Sequence, residues 1–200
     1  MDIKFGWRTA LLLALGVMLS GASRELRAQS ILTDALAWLP PQTVAFEYSR
    51  TSDLRSLPDY ASLRAHYLGR NLRALEESLA KLGIQEGDIN EMVLGWQVVA
   101  GTKMQYEGIA TGQFDEQSMS QQAAVARISP ETVEGVKAYC FPSDPNRTCV
   151  AVVDNALGVF GPLNNLDAML KARAGSGPSI ASNTKFTERA SYCRIHSALW

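Results

Sequence analysis

Cysteine, histidine and motif-bearing glycine loops are scarce in this chain, and each scarcity excludes something. Three cysteines in 200 residues are too few for a disulfide-framework scaffold. The two histidines, His66 and His196, lie far apart and form no zinc-ligand spacing with the cysteines. No Gly-x-Ser-x-Gly elbow, Walker loop, His-Glu-x-x-His or dinucleotide fingerprint occurs, so no residue is marked as catalytic or cofactor-binding, and no metal or cofactor is expected. Charge of one sign is also missing. The 19 Lys and Arg against 20 Asp and Glu leave a net charge of −1, which gives no nucleic-acid footprint.

Long apolar runs are absent too. The N-terminal run Thr9–Leu19 has 11 residues, short of the ~20 needed to span a bilayer. Lys4 and Arg8 precede it and the small residues Gly21, Ala22 and Ser23 follow. This is the layout of a secretory signal peptide over residues 1–23, cut after Ser23 or after Ala28. The alternative is an uncleaved signal anchor. A periplasmic or secreted protein with no stable membrane span after cleavage is expected. Residues 30–175 are expected to form a single α+β domain, and residues 176–200 a tail, truncated or altered, that ends in a strand stub at Ser197–Trp200.

The strongest local signal is a hairpin between Asn90 and Phe114. On its second arm, from Met104 to Phe114, even positions are apolar or small and most odd ones polar, as in a sheet with one buried face. A three-residue loop, Gly101 to Lys103, pairs Val98 with Tyr106, Trp96 with Gly108 and Leu94 with Ala110. That register lays Trp96 over a strand glycine. A strand at Thr43–Tyr48 precedes the hairpin. Between them, leucines at 68, 72, 75, 79 and 82 give one face of a helix over Asp59–Leu82, with a break expected near Gly69 and Asn71. Gly83 is placed to end it.

After the hairpin, Asp115 is positioned to cap a helix over Glu116–Arg127. Strands follow at Val133–Phe141, Thr148–Val153 and Leu157–Phe160, then helices at Leu163–Ala174 and Asn183–Ala190. The order predicts an α+β fold: an antiparallel sheet with helices packed on one face and a ferredoxin-like split β-α-β start.

Cys140 and Cys149 end two adjacent strands, so a cross-strand disulfide is geometrically available in an oxidising compartment. Closing so short a loop contributes about 3 kcal/mol in the chain-entropy model. Cys193 is left over. His66 on the main helix is a possible general base with no acid or nucleophile beside it in sequence. Asn146-Arg147-Thr148 is a glycosylation sequon, and Glu86, Asp88 and Glu91 read as a solvated acidic turn. Trp38, Trp96, Tyr48, Tyr60 and Tyr67 are either core residues or the lining of a ligand groove.

Leu39-Pro40-Pro41 with Val44-Ala45-Phe46, then Asp53 to Tyr60, resembles the start of uncharacterised bacterial exported proteins. Gly83-Ile84, Asp88-Ile89 and Tyr106 to Gly112 are similar in layout. The resemblance spans about Leu39 to Asn183 and implies export and an α+β fold, with no activity attached. The resulting expectation is an exported, non-enzymatic domain that binds a protein or an envelope component. The alternative is an exported hydrolase whose site is assembled only in space.

Overall fold

The computed structural model describes residues 31–191 apart from Ala100 and Thr102. The expected signal peptide and the strand stub at Ser197–Trp200 lie outside the described residues. A helical segment over residues 31–38 (α1) leads to strand β1 (Ala45–Ser49). The short α2 (Thr51–Leu54), then α3 (Tyr60–Tyr67) and α4 (Arg70–Ala80), connect it to β2 (Ile89–Val99) and β3 (Lys103–Gly112). Helix α5 (Glu116–Val125) precedes β4 (Pro130–Val133), β5 (Val136–Cys140), β6 (Thr148–Asp154) and β7 (Leu157–Pro162). Helices α6 (Leu163–Arg173) and α7 (Thr184–Ser191) follow. The described strands form one seven-stranded sheet in the order β1-β2-β3-β7-β6-β5-β4. Every neighbouring pair is antiparallel, so the fold is α+β as expected.

The start of the chain is not split. Strand β1 lies directly beside β2 and antiparallel to it. The broken helix explains this. A single helix over Asp59–Leu82 would run about 36 Å in one direction. Instead Leu68 and Gly69 are extended and separate α3 from α4. Arg64 of α3 pairs with Glu76 of α4 at 2.5 Å, although twelve residues of straight helix would put them about 18 Å apart. Arg73 donates to the Ala65 and Leu68 carbonyls across the same break. The connection therefore doubles back and returns the chain next to the strand it left. Gly83, in the left-handed region at φ +77°, ends this segment, and the Ile84 N–H returns to the Leu79 carbonyl.

Helices cover both faces of the sheet, not one. Alternate strand residues separate into two cores. Tyr48, Val93, Ile109, Ala151 and Val159 face α1 and α6, meeting Ile31, Ala35, Leu166 and Met169. Leu94, Tyr106, Ala110, Val150 and Phe160 face α4 and α5, meeting Leu75, Leu79, Met119 and Ala123. A sheet buried on both sides cannot show a clean period-2 pattern, and the polar odd positions of β3 mask the second core. The segment after Gly175, expected to be a tail, packs on the first core. Ile180 is fully buried, its N–H donates to the Leu39 carbonyl, and Phe186 stands 5.2 Å from Phe46.

The hairpin forms with a different register. Its last pair is Val99 with Lys103, Gly101 stands beyond it at φ +83°, and Trp96 pairs with Tyr106, Leu94 with Gly108 and Met92 with Ala110. The shift is two residues from the expected pairing, which preserves the faces. Trp96 meets the Tyr106 ring edge-on at 5.8 Å. Gly108 is covered by Phe160 of β7 instead: a Cβ at Gly108 would lie 2.4 Å from the Phe160 ring and 2.5 Å from the Val93 carbonyl oxygen. A third strand, invisible in the hairpin alone, fills the space that the expected register gives to Trp96.

Two further local readings change. The strand expected at Val133–Phe141 is a hairpin, β4–β5, whose two-residue turn places Glu134 and Gly135 at φ 48° and 78°. These are the positive angles of a type I′ turn. Asp115 caps α5 as expected, accepting from the Gln117 and Ser118 N–H groups. Cys140 and Cys149 are paired across β5–β6 and joined by a disulfide. Alkylation of native protein without reductant, followed by intact-mass measurement, is expected to add one adduct, at Cys193. Three adducts would contradict the bond.

Candidate functional site

Beneath the leucine face of α4 the described residues leave a space that is not packed solid. It is a partly open cavity of about 840 Å³ between α2–α4 and the sheet. Its floor is Met92 and Leu94 on β2, Ala110 on β3, Val150 on β6 and Phe160 on β7. Its roof is Leu54, Leu57, Leu63, Leu68, Leu72 and Leu75. The floor is recessed because Ala110 and Gly158 are paired on adjacent strands, so neither fills the space below the helix. Leu57 and Leu63 are 48% and 49% exposed at its margin, unusual for leucines in contact with a cavity wall.

The mouth is polar. Tyr60 donates its hydroxyl to Glu86, and burial, then that bond, pushes the phenol up to about 12. Arg64 bridges Glu76 at 2.5 Å and Glu86 at 3.2 Å. These groups tie α3 to α4 and to the turn before β2. Arg55 donates to the carbonyls of Glu86, at 2.7 Å, and Ile89, at 2.8 Å, and fixes the other end of that turn. Chemically the arrangement is an apolar chamber with a charged collar, which can hold a molecule with an apolar body and a polar end.

A second polar cluster is buried on the opposite face. Glu107 of β3 has no solvent exposure. It accepts from Thr43 at 2.8 Å, Gln97 at 3.1 Å and Asn165 at 3.0 Å. Burial pushes its carboxyl up to about 7, and the three hydrogen bonds oppose that shift. A Cβ at Gly161 would lie 2.8 Å from the Glu107 Cβ, and one at Gly95 would lie 3.1 Å from its carboxylate oxygen. Its partners come from before β1, from β2 and from α6, so it joins three segments inside the wall of the fold, outside the cavity.

No family model, no curated protein and no solved structure matches this chain.

The residues singled out in the sequence fall in different places. His66 is exposed on α3 and does not line the cavity. Glu86, Asp88 and Glu91 do not form one solvated turn. Glu86 joins the collar, Asp88 accepts from the Gln85 N–H, and Glu91 is buried under Tyr48, whose hydroxyl donates to it at 2.7 Å. Among the described residues no group of His, Cys, Asp and Glu is placed to hold a metal ion. Of Trp38, Trp96, Tyr48 and Tyr60, only Tyr60 lines the cavity.

The sequon is occupied structurally. Asn146 is buried, its side chain donates to the Tyr106 carbonyl at 2.8 Å and accepts the Tyr106 N–H at 3.2 Å. It thereby stands in for a strand residue beside β3, and its amide is not available for a glycan. The cavity itself leaves one trace in sequence: the leucines of Leu54–Leu57 and Leu63 lie off the α4 stripe, too many for the surface they occupy.

Proposed function

We propose that this chain is an exported binding domain whose cavity takes up the apolar chain of an envelope component. The observation that carries the reading is the cavity's size and lining. Ligand pockets run to roughly 300–1,000 Å³ and are mostly apolar with a few placed polar groups; this one has about 840 Å³ between leucine-rich helices and the sheet. The cavity is partly open, so the space holds solvent or a guest. Water needs two to four polar partners, and the interior wall of leucine, valine, methionine and phenylalanine offers almost none. An alkyl chain gains about 0.8 kcal/mol for each buried CH₂.

Export is supported by the disulfide, which persists in oxidising compartments, together with the signal-like N-terminus. A periplasmic or secreted location places the domain where envelope lipids and their fragments occur. Among the described residues no helix is long and apolar enough to cross a membrane.

A neutral apolar dye such as N-phenylnaphthylamine should bind with a micromolar dissociation constant and brighten as it leaves water. Ala110→Phe places a ring on the cavity floor and should weaken that binding at least ten-fold while the cooperative unfolding transition is retained. Equal dye binding by both proteins would reject the cavity as the site.

A further inference from the structure

The collar's charge narrows the class of guest. The cavity wall carries four carboxylates, Glu47, Glu76, Glu77 and Glu86, and one guanidinium, Arg64. Arg64 is already committed to Glu76 and Glu86. Neither Glu47 nor Glu77 has an ion-pair or hydrogen-bond partner among the described residues, and both are exposed. Three other arginines between β1 and the end of α4 are committed elsewhere. Arg55 donates to the Glu86, Gly87 and Ile89 carbonyls. Arg73 donates to Leu68 and Ala65. Arg50 pairs with Asp53 and Glu91. An anion in the cavity would meet two wall carboxylates without ion-pair partners and no available cation among these arginines.

We infer that the preferred guest is a single-chain amphiphile with a cationic head, an amine or quaternary ammonium, whose chain fills the cavity and whose head lies between Glu47 and Glu77. The inference rests on the proposed cavity function and adds the charge of the ligand to it. Glu47 is the more telling of the two. It sits on edge strand β1 opposite Leu94, on the face that looks into the cavity, where a strand would otherwise place an apolar side chain. Its carboxylate is exposed at the sheet edge, where a charge also guards the open strand, and it lines the cavity from that side. Solvent at the mouth screens both carboxylates, so the preference should shrink as salt rises.

The experiment displaces bound N-phenylnaphthylamine from the native full-length chain with dodecylammonium, dodecanol and dodecanoate at pH 7.5, each below its critical micelle concentration. Dodecylammonium is expected to bind at least ten-fold tighter than dodecanoate, with dodecanol between them. Glu47→Gln combined with Glu77→Gln should cut that ratio to about three-fold or less, and 0.5 M NaCl should cut it in the native protein. Equal affinity for all three guests overturns the charge inference and leaves the cavity reading standing. So does a ratio unchanged in the double variant. Displacement by none of the three overturns both.

Discussion

Gly108→Ala is expected to destabilise the domain by about 3 kcal/mol or more, the cost of forced overpacking in a core that cannot relax. The new methyl would sit 2.4 Å from the Phe160 ring and 2.5 Å from the Val93 carbonyl oxygen. The ring is the tip of a side chain and can swing. The carbonyl cannot, because Val93 belongs to β2, and β3 is held by β2 on one side and by β7 on the other. Moving either strand breaks ladder hydrogen bonds at the centre of the sheet. Gly87→Ala is the control. No atom lies within 4 Å of the place its new methyl would take, and its backbone is not in the left-handed region, so a change within about 0.5 kcal/mol is expected. Urea unfolding of the three proteins measures both. Equal midpoints for Gly108→Ala and the native chain would show that β3 and β7 do not meet there.

Glu107 should make the protein less stable as pH rises from 5 to 8, by about 2–3 kcal/mol. Its carboxyl in the folded state is pushed up to about 7 from 4.5, with burial the largest cause. Between those values the folded protein holds a proton that the unfolded chain releases. The stabilisation is complete below about pH 4.5 and is lost as pH rises through 7. Glu107→Gln keeps the shape and removes the titration, so its stability should vary less with pH. The difference between the two curves isolates this residue from others, such as Asp34, whose carboxyl burial also raises. Parallel curves for native and Glu107→Gln would contradict a buried, proton-linked acid. Glu107→Ala is a different experiment, since it leaves Thr43, Gln97 and Asn165 with unmet donors in a dry site.

The two residues also show how far the sequence can be read. Local chemistry is legible: the Asp115 cap, the glycine that ends the α4 segment, the broken leucine helix, and two cysteines brought opposite each other. Each depends on a few consecutive residues. What depends on distant strands is not legible. The cover of Gly108 comes from Phe160, some fifty residues further on. Glu107 reads as a solvent position because its alternation is right and its three partners lie on other segments. The expectation of helices on one face has the same origin, since a polar but buried position hides the second core. The Glu134-Gly135 turn lies inside an otherwise strand-like run, and only the glycine at its second position marks it. The cavity is a property of what small residues leave unfilled, and only the leucines at 54, 57 and 63 hint at it.

Whether the space under α4 accepts an apolar chain decides the proposed function. Methyl-resolved NMR of protein labelled at leucine, valine and methionine, titrated with dodecanol, tests it directly. Saturable shifts are expected, confined to the methyls that line the cavity, among them Leu72, Leu75, Met92, Leu94, Val150 and Val152. Shifts centred instead on the exposed Val44, Val125 and Leu163, or no saturation at all, would contradict it.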